Sequence, residues 1–278
     1  MKIDAHQHFW KLARGDYEWL TSELAPIYRD FGPADLLPLL KAAGIDGTIL
    51  VQATDTEEET EYLLSFADKY DWIFGVVGWV DMEASKAPDS IAQFASNPKF
   101  CGIRPMIQGL KDDAWMLRPA LKSSVSALIE YGLCFDALVL PRHLPHLLRF
   151  VETYPDLPVV IDHGAKPEIK TGSFQPWANQ IKTIADNSNA FCKLSGLVTE
   201  ADSNWTASDI KPFARHILEC FGPERVMFGS DWPVLNVASD YATWAELAKE
   251  LCHGNSNHMK AVFGESASRF YLESVQTR

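Results

Sequence analysis

The chain has 278 residues, of which 47% are hydrophobic, so it is long enough to bury a large core. Its formal net charge of -12 disfavours nucleic acid and acidic membrane surfaces as partners, because binding to phosphate groups needs clustered lysine and arginine. No apolar run approaches the roughly 20 residues that span a bilayer, and the first residues form a strand pattern instead of a signal peptide. We therefore expect a cytoplasmic protein.

The cysteines also indicate a reducing compartment. They are scattered at Cys101, Cys134, Cys192, Cys220 and Cys252, without any C-x-x-C spacing. An odd number of widely spaced cysteines argues against a disulfide scaffold and against a structural zinc site. We expect reduced thiols, most of them buried.

The first predicted element is a strand at residues 2–9 that carries His6 and His8. Side chains two residues apart on a strand project from the same face, so both imidazoles, with Asp4 below them, should point into one space. Such a pair suits a metal ion or a polarised oxygen. A surface pair or a purification tag is the alternative, and the apolar neighbours of the pair argue against a tag.

Residues 11–32 form an irregular segment rich in aromatic and charged residues, which we expect to form a wall over the site, because loops this long are usually functional. Helical and strand patterns then alternate to the end of the chain. The predicted helices are residues 33–43, 56–70, 90–96, 119–131, 142–154, 177–187, 208–221, 241–252 and 259–272. The predicted strands are residues 2–9, 46–52, 73–80, 100–106, 133–140, 158–163, 191–195 and 226–231.

Strands this apolar are expected where helices cover both faces of a parallel sheet. Eight strand–helix units in one chain fit a closed barrel better than an open doubly wound sheet. No Gly/Ser linker, low-complexity tract or internal repeat divides the chain. The sequence therefore predicts an α/β fold, a (β/α)8 TIM barrel, in a single domain over residues 1–278.

Polar residues stand at the carboxyl ends of the predicted strands, which is where the active sites of such barrels lie. They are His6 and His8 on the first strand, Gln52 on the second, Arg104 on the fourth, Asp136 on the fifth, His163 on the sixth and Asp231 on the eighth. We expect these side chains to converge at one rim of the barrel.

Asp231 ends an apolar strand abruptly and is followed by Trp232. Aspartate commonly caps turns, but converging histidines favour a base that takes a proton from water and returns it to a leaving oxygen. His163 extends the pair of His6 and His8 to a cluster of three imidazoles. That cluster would either bind zinc, with an open position for water, or donate hydrogen bonds directly to a carbonyl oxygen.

Arg104 ends an apolar strand, where an unpaired charge is costly, so we expect it to face a structural carboxylate or a substrate oxygen. Lys166 follows His163 on a loop, where it contacts either solvent or substrate. Four tryptophans would form either apolar walls for a sugar ring or ordinary core contacts. They are Trp10, Trp19, Trp79 and Trp232.

The chain resembles the amidohydrolase superfamily, in the branch that contains pyrone dicarboxylate lactonase and sugar lactonases such as fuconolactonase and rhamnonolactonase. The matching segments are His6-Gln-His8-Phe-Trp10, Leu50-Val-Gln52 with Glu59-Thr-Glu61, Gly102-Ile-Arg104, Asp162-His163-Gly-Ala-Lys166-Pro167, Lys193-Leu-Ser-Gly196 and Gly229-Ser-Asp231-Trp-Pro233. They span nearly the whole chain in order. As a set they are specific.

The resemblance implies a ligand set. The residues that correspond to the superfamily's first-strand pair, sixth-strand histidine and eighth-strand aspartate are His6, His8, His163 and Asp231. Superfamily members with two metals carry a bridging Lys or Glu on the fourth strand and a histidine on the fifth, whereas this chain has Arg104 and Asp136 there. We therefore expect no metal or one divalent ion, with zinc preferred, on those four residues, and no binuclear centre.

By this resemblance, we predict hydrolysis of a small sugar lactone, such as L-fuconolactone or L-rhamnonolactone, to the sugar acid. Asp231 would activate water, while His163 and Arg104 stabilise charge on the carbonyl oxygen. The residues predicted to bind substrate are His6, His8, Gln52, Lys166 and Trp232. The alternatives are a metal-dependent decarboxylase, a hydrolase of another ester or amide, and a sugar-acid binding protein without catalysis. The sequence is also compatible with a homo-oligomer.

Overall fold

The computed structural model describes residues 1–252 and 256–273. Eight parallel strands lie side by side in the order β1 to β8. Their bounds are β1 Ile3–Gln7, β2 Gly47–Val51, β3 Ile73–Gly78, β4 Phe100–Ile103, β5 Cys134–Ala137, β6 Val159–Ile161, β7 Phe191–Leu194 and β8 Val226–Phe228. Nearly every strand residue is buried, which explains why the strands are apolar along their whole length and do not alternate.

The first and last strands meet where the sheet closes on itself. Gln7 and Trp232 form a parallel bridge, and the amide of His8 donates to the carbonyl oxygen of Trp232 at 2.7 Å. The amide of Asp231 donates in turn to the carbonyl oxygen of His6 at 2.8 Å. The predicted (β/α)8 barrel is confirmed, and its closure brings the polar ends of β1 and β8 into contact.

Eight helices surround the barrel, as the periodicity of the sequence predicted. They are α1 Pro33–Ala43, α2 Glu57–Lys69, α3 Ala87–Ala95, α4 Lys122–Glu130, α5 Leu144–Thr153, α6 Trp177–Asn187, α7 Ala207–Phe221 and α8 Tyr241–Leu251. The α3 helix begins at Ala87, before the predicted residue 90, with Pro88 in its first turn. Proline is tolerated there because the amide groups of the first turn have no partner within the helix. The start predicted for α4 is a separate 3₁₀ turn, Pro119–Leu121.

Several strands end earlier than the sequence predicted. β6 ends at Ile161 and β8 at Phe228, so His163 and Asp231 lie on the turns that follow. Both residues have positive φ angles, 53° and 57°, which a strand does not accommodate. These side chains lie at the rim, as predicted, but they belong to the turns after β6 and β8 and not to the strands.

The amino-terminal end of the barrel is closed by the C-terminal helix, residues 256–273. It begins as the short α-helix α9, Ser256–Lys260, and continues in two π-helical stretches, Ala261–Glu265 and Ser268–Glu273. Phe270 and Tyr271 pack into the barrel interior among side chains of the strands. The helix therefore fills the end of the barrel that lies opposite the polar rim.

The cysteines are as predicted: none of the five forms a disulfide, four are buried, and Cys220 is half-buried. Within the described ranges, no helix has the length and apolar character needed to pass through a bilayer. The predicted domain runs to residue 278, and its residues 253–255 and 274–278 lie outside the part that the structure describes.

Candidate active site

The end of β1 places two imidazoles side by side. The Nε2 atoms of His6 and His8 are 3.2 Å apart, and both side chains are buried. The Nδ1 atom of His8 lies 2.8 Å from the carbonyl oxygen of Val51. Because a carbonyl oxygen only accepts, this nitrogen carries the proton, and Nε2 of a neutral His8 is left with a lone pair.

Asp4 does not share the space of these imidazoles, contrary to the prediction. Its carboxylate accepts hydrogen bonds from the amide of Ser230 at 2.8 Å and from the hydroxyl of Tyr241 at 3.0 Å. Burial raises the pKa of Asp4 to about 6, against the hydrogen bonds that it accepts. Asp4 therefore ties β1 to the segment after β8 and fixes the position of the histidines that follow it.

The turn after β7 orients His163. The Nδ1 atom of His163 lies 2.8 Å from the hydroxyl oxygen of Ser195. A Cβ atom at Gly196 would lie 2.4 Å from the same nitrogen, and Gly196 has a φ of +60°, so only glycine fits there without displacing the ring. The chain after β7 therefore holds the imidazole that arises from β6.

Asp231 is the residue around which the three imidazoles gather. Its Oδ1 atom lies 3.3 Å from Nε2 of His8, 3.7 Å from Nε2 of His6 and 3.8 Å from Nε2 of His163. Its side chain is almost fully buried. The structure thus brings together the four residues that the sequence predicted to converge from the first, sixth and eighth strands.

This cluster holds one ionised carboxylate among neutral imidazoles. Burial lowers the pKa of His8, and it lowers the pKa of His163 to about 4. Burial, together with the Lys193 ammonium, holds the pKa of His6 well below its ordinary value. Burial alone would raise the pKa of Asp231, but the imidazoles, His163 foremost, keep it below its ordinary range. At neutral pH the Asp231 carboxylate is therefore available as a proton acceptor.

Gln52 positions Arg104 at the rim. The side-chain amide of Gln52 donates to the carbonyl oxygen of Arg104 at 2.6 Å, and the backbone carbonyl oxygen of Gln52 accepts from the guanidinium. The guanidinium also has a buried anionic partner, Asp162, with 3.4 Å between Nη1 and Oδ2. The predicted carboxylate partner of Arg104 is therefore Asp162.

A cavity of about 330 Å³ opens above these residues. Its lining residues are His8, Trp19, Ala53, Arg104, Met106, Gln108, Gly109, Leu138, His163, Lys166, Asp231 and Val234. Trp19 comes from the segment 11–32, and its indole nitrogen donates to the carbonyl oxygen of Ala53 at 2.7 Å. That segment forms one wall of the cavity, as predicted.

Comparison with known proteins places the chain in a family. Residues 3–272 match the sequence profile of the family described as Amidohydrolase. The chain belongs to the amidohydrolase family. L-fucono-1,5-lactonase of Burkholderia ambifaria is 44% identical over 275 residues, which are 97% of this chain and 95% of that protein. L-fucono-1,5-lactonase of Burkholderia multivorans is 33% identical over 288 residues, 98% of this chain and 96% of that protein. A crystal structure of a Burkholderia multivorans amidohydrolase with bound zinc is similar with a TM-score of 0.93, at 33% identity, over 98% of this chain and 99% of that chain.

Three residues of this amidohydrolase that were predicted to contact substrate do not line the cavity. His6 lies fully buried beneath it, and Gln52 contacts Arg104 instead. The ring of Trp232 packs against Phe31, with ring centroids 5.2 Å apart, because a large apolar side chain is more stable in the core than beside buried charges. In the described structure Trp232 is a core residue, and its predicted contact with substrate stays a prediction.

Lys166 lies at the cavity, as predicted, but it is not free. Its Nζ atom is 3.3 Å from a carboxylate oxygen of Glu200, and both side chains are partly buried. Glu200 follows β7 and therefore holds the ammonium at the wall of the cavity. Glu200 lies outside the motif at residues 162–167, so this ion pair could not be predicted from the motif.

Three further residues complete the site, and no role could be assigned to them from the sequence: Asp162, Lys193 and Ser195. The Nζ atom of Lys193 lies 2.5 Å from Oδ2 of Asp136 and 3.0 Å from Oδ1 of Asp162. A lysine inside an apolar strand could have indicated this cluster, because a charge at a buried position needs a partner of opposite sign. Which aspartates pair with it depends on strand neighbours that the linear sequence does not reveal.

The donor atoms of this amidohydrolase fit one divalent ion. His6, His163 and Asp231 each offer one ligand atom, and these atoms lie within 4.8 Å of one another. The Nε2 lone pair of His8 faces the same carboxylate at 3.3 Å. Imidazoles combined with one carboxylate suit zinc. Across residues 1–252 and 256–273, this is the single group of three or more such side chains.

Proposed function

We propose that this amidohydrolase hydrolyses a small sugar lactone to the sugar acid, with L-fucono-1,5-lactone as the first candidate. The observation that carries the proposal is the position of the buried Asp231 carboxylate at the cavity, where its Oδ1 atom lies within 3.8 Å of three imidazoles. Such a carboxylate is the base that attack of water on a carbonyl group requires. Similarity over nearly the whole chain to two L-fucono-1,5-lactonases supports a lactone as the substrate.

In the proposed mechanism, Asp231 takes a proton from water as the water oxygen bonds to the lactone carbonyl carbon. Nε2 of His8 is unprotonated because Nδ1 donates to the carbonyl oxygen of Val51. Its lone pair accepts a hydrogen bond from the second hydrogen of the same water and so orients the water. The protonated Asp231 then gives its proton to the ring oxygen as the bond between that oxygen and the carbonyl carbon breaks. Water and lactone are thereby converted to a hydroxy acid.

Arg104 and His163 stabilise the charge that develops on the carbonyl oxygen. Both line the cavity. In the site without an ion, when the hydroxyl of Ser195 donates to Nδ1 of His163, the ring proton stands on Nε2 at the cavity wall. Each preorganised donor of this kind is typically worth about 3 kcal/mol in the transition state, or about a hundredfold in turnover.

A single divalent ion, with zinc preferred, would be held by His6, His163 and Asp231, with His8 beside them. The zinc bound in the related Burkholderia multivorans amidohydrolase supports this choice. When bound, such an ion supplies Lewis-acid polarisation of the carbonyl oxygen. Activity before and after exhaustive chelation, with metal content measured on the same samples, tests whether turnover needs it.

The lining of the cavity favours a deoxy-sugar lactone. Met106, Leu138 and Val234 provide an apolar wall that suits a methyl group and a ring face, whereas Gln108 and Lys166 provide partners for hydroxyl groups.

The thiols, none of which is in a disulfide, support a cytoplasmic location.

A panel of aldonolactones in ¹⁸O-water tests the proposed reaction. The expected result is acid release from at least one deoxy-sugar lactone, with one ¹⁸O atom in the new carboxylate, because water attacks the carbonyl carbon. A protein that cleaves no lactone, or that releases carbon dioxide from carboxylic acids instead, would contradict the proposal. Saturable lactone binding without turnover would indicate a binding protein.

A further inference from the structure

Glu59 is a fully buried residue in the first turn of α2, and the proposed reaction does not use it. Its Oε2 atom accepts hydrogen bonds from the amide of Ala53 at 3.0 Å and from the amide of Thr54 at 2.7 Å. A hydrogen bond weakens steeply when it is stretched or bent. Two amide donors on one buried oxygen therefore fix the path of the chain where it leaves β2.

Ala53 and Thr54 connect Glu59 to the cavity wall, segment 11–32. The indole nitrogen of Trp19 donates to the carbonyl oxygen of Ala53 at 2.7 Å. The hydroxyl of Thr54 donates to the carbonyl oxygen of Asp16 at 2.6 Å. Each of the two residues thus has its amide bonded to Glu59 and a second polar group bonded to the wall.

Ring packing constrains the indole of Trp19 less than this hydrogen bond does. Trp19 is 36% exposed, and its ring meets the ring of Trp10 edge to face with centroids 5.5 Å apart. Aromatic pairs tolerate centroid distances of about 4.5–7 Å, whereas an N–H···O bond is lost within a few tenths of an ångström. The carbonyl oxygen of Ala53 therefore decides the direction of the indole.

We propose that Glu59 is a positioning residue of the active site, which holds Ala53 and Thr54 in place and through them fixes the wall that Trp19 forms. Ala53 and Trp19 both line the cavity, whereas the fully buried Glu59 is out of reach of a substrate. The consequence for catalysis rests on the proposed function: the lactone binds against an indole whose orientation depends on Glu59.

The first test needs no substrate. It measures hydrogen–deuterium exchange of the Trp19 indole N–H by NMR, with the signal assigned from its absence in Trp19→Phe. Glu59→Met keeps the length of the side chain and removes the acceptor of both amides. We expect the Trp19 signal to exchange at least about tenfold faster than in the wild type. The indole N–H of Trp244, which donates to the carbonyl oxygen of Gly229 at 2.9 Å, is the internal control and should keep its rate.

An unchanged Trp19 rate in Glu59→Met overturns the proposal. Equal acceleration at Trp19 and Trp244 also overturns it, because the whole fold would then open more often. Glu58→Met, at the exposed neighbouring position, should match the wild type. If Glu59→Met does not fold, Glu59→Asp decides, since it keeps a carboxylate but shortens its reach by one methylene group. Faster Trp19 exchange is expected there, and the wild-type rate would overturn the proposal.

The second test is a double-mutant cycle on KM for the lactone that the wild type cleaves best. Glu59→Met should raise KM by no more than Trp19→Ala does, and in the Trp19→Ala background it should leave KM within about twofold. We expect little change in kcat, because Gln52 is held separately by its amide, which donates to the carbonyl oxygen of Val77 at 2.8 Å. Rises in KM that multiply in the double variant overturn the proposal. If no lactone is cleaved, the proposed function fails and the exchange rates alone decide the role of Glu59.

Discussion

Four residues at the site adopt a left-handed backbone conformation that residues other than glycine rarely occupy. They are His163, Ala165, Lys166 and Asp231, with φ angles between 50° and 63°. Such conformations cost of the order of 1–3 kcal/mol each and persist where the surrounding structure fixes them, most often at functional sites. Here they turn the chain sharply after β6 and β8, so that the imidazole and the carboxylate face the cavity.

The first prediction concerns Gly196→Ala. The new Cβ atom would lie 2.4 Å from Nδ1 of His163 and would displace that ring, and a displacement of about 1 Å at a reacting group costs roughly a hundredfold in turnover. We therefore expect kcat on the cleaved lactone to fall by about a hundredfold, measured by acid release.

Gly172→Ala is the matched control for that variant. Gly172 also has a positive φ, +67°, but its added Cβ would meet nothing within 4 Å. It introduces a similar backbone strain without touching the site, so its kcat should stay near that of the wild type. Equal losses in the two variants would show that backbone strain, and not contact with His163, is responsible.

The second prediction is a pH dependence of stability that arises from Glu59. Its carboxylate is fully buried against the amides of Ala53 and Thr54, and burial raises its pKa from 4.5 to about 7. Because the folded state holds this proton more tightly than the unfolded chain does, ionisation of Glu59 destabilises the fold as the pH rises from 4.5 to 7. Below pH 4.5 this cost is absent.

Urea unfolding of Glu59→Gln between pH 5 and pH 8 measures this effect. The free energy of unfolding of the wild type should fall relative to that of the variant by up to about 3 kcal/mol as the pH rises. Glu58→Gln, at an exposed position of the same helix, should follow the wild type. Parallel pH profiles of the wild type and Glu59→Gln would refute the assignment.

At the residue scale, the sequence predicted which side chains converge at the rim better than it predicted the residues that support them. His6, His8, His163 and Asp231 were predictable because each is a polar residue at the end of an apolar run. The supporting roles of Lys193 and of Gln52 were not, because each depends on which strand lies beside which and at what register. A buried polar side chain can satisfy its hydrogen bonds with any neighbour within reach.

At the scale of elements, the segment 11–32 is the part of the chain that the periodicity rules describe least. It has one short 3₁₀ turn, Leu12–Arg14, and is held by contacts of its aromatic side chains. The rings of Trp10 and Trp19 pack edge to face with centroids 5.5 Å apart. Its role as a cavity wall was predictable from its length, whereas its path was not, because irregular segments lack a repeating pattern of burial.

The third prediction tests this wall with Trp19→Ala. Trp19 lines the cavity and should contact the substrate equally in the ground state and in the transition state. An aromatic contact is worth about 1 kcal/mol beyond burial, so KM should rise by roughly fivefold or more while kcat changes little. Tyr28→Ala is the control, since Tyr28 is exposed in the same segment and does not line the cavity. An unchanged KM in Trp19→Ala would exclude the proposed wall contact.

The C-terminal helix shows what periodicity cannot reveal. A helix was predicted over residues 259–272, and most of that range is π-helical, Ala261–Glu265 and Ser268–Glu273. The hydroxyl of Tyr271 donates to Oδ2 of Asp136 at 2.8 Å, inside the barrel. A terminal amphipathic pattern has the same appearance whether the helix packs outside a barrel or fills its end, so this contact was not predictable.

At the scale of the whole molecule, the closure of the barrel creates the site. The residues that surround Asp231 belong to the end of β1, with His8 just after it, and to the turn after β6, and they meet only because β8 lies beside β1. The fold was predictable because eight apolar strands alternating with helices fit few other architectures. The convergence of side chains followed from the fold, since all parallel strands end at one rim.

The fourth prediction concerns Asp231→Asn, which removes the proposed base and keeps the shape of the side chain. Asparagine tolerates the φ of +57° at this position, so the variant should fold with a melting temperature close to that of the wild type. Loss of a general base lowers kcat by about 100- to 10,000-fold.

The decisive measurement is therefore kcat for hydrolysis of L-fucono-1,5-lactone, or of whichever lactone the wild type cleaves best, by Asp231→Asn. Asp71→Asn serves as the control, because Asp71 is exposed and far from Asp231 in the sequence. We expect a loss of at least a hundredfold for Asp231→Asn, with KM within a few-fold of the wild type, and no loss for Asp71→Asn. A folded Asp231→Asn protein that retains more than a tenth of the wild-type kcat would contradict this account.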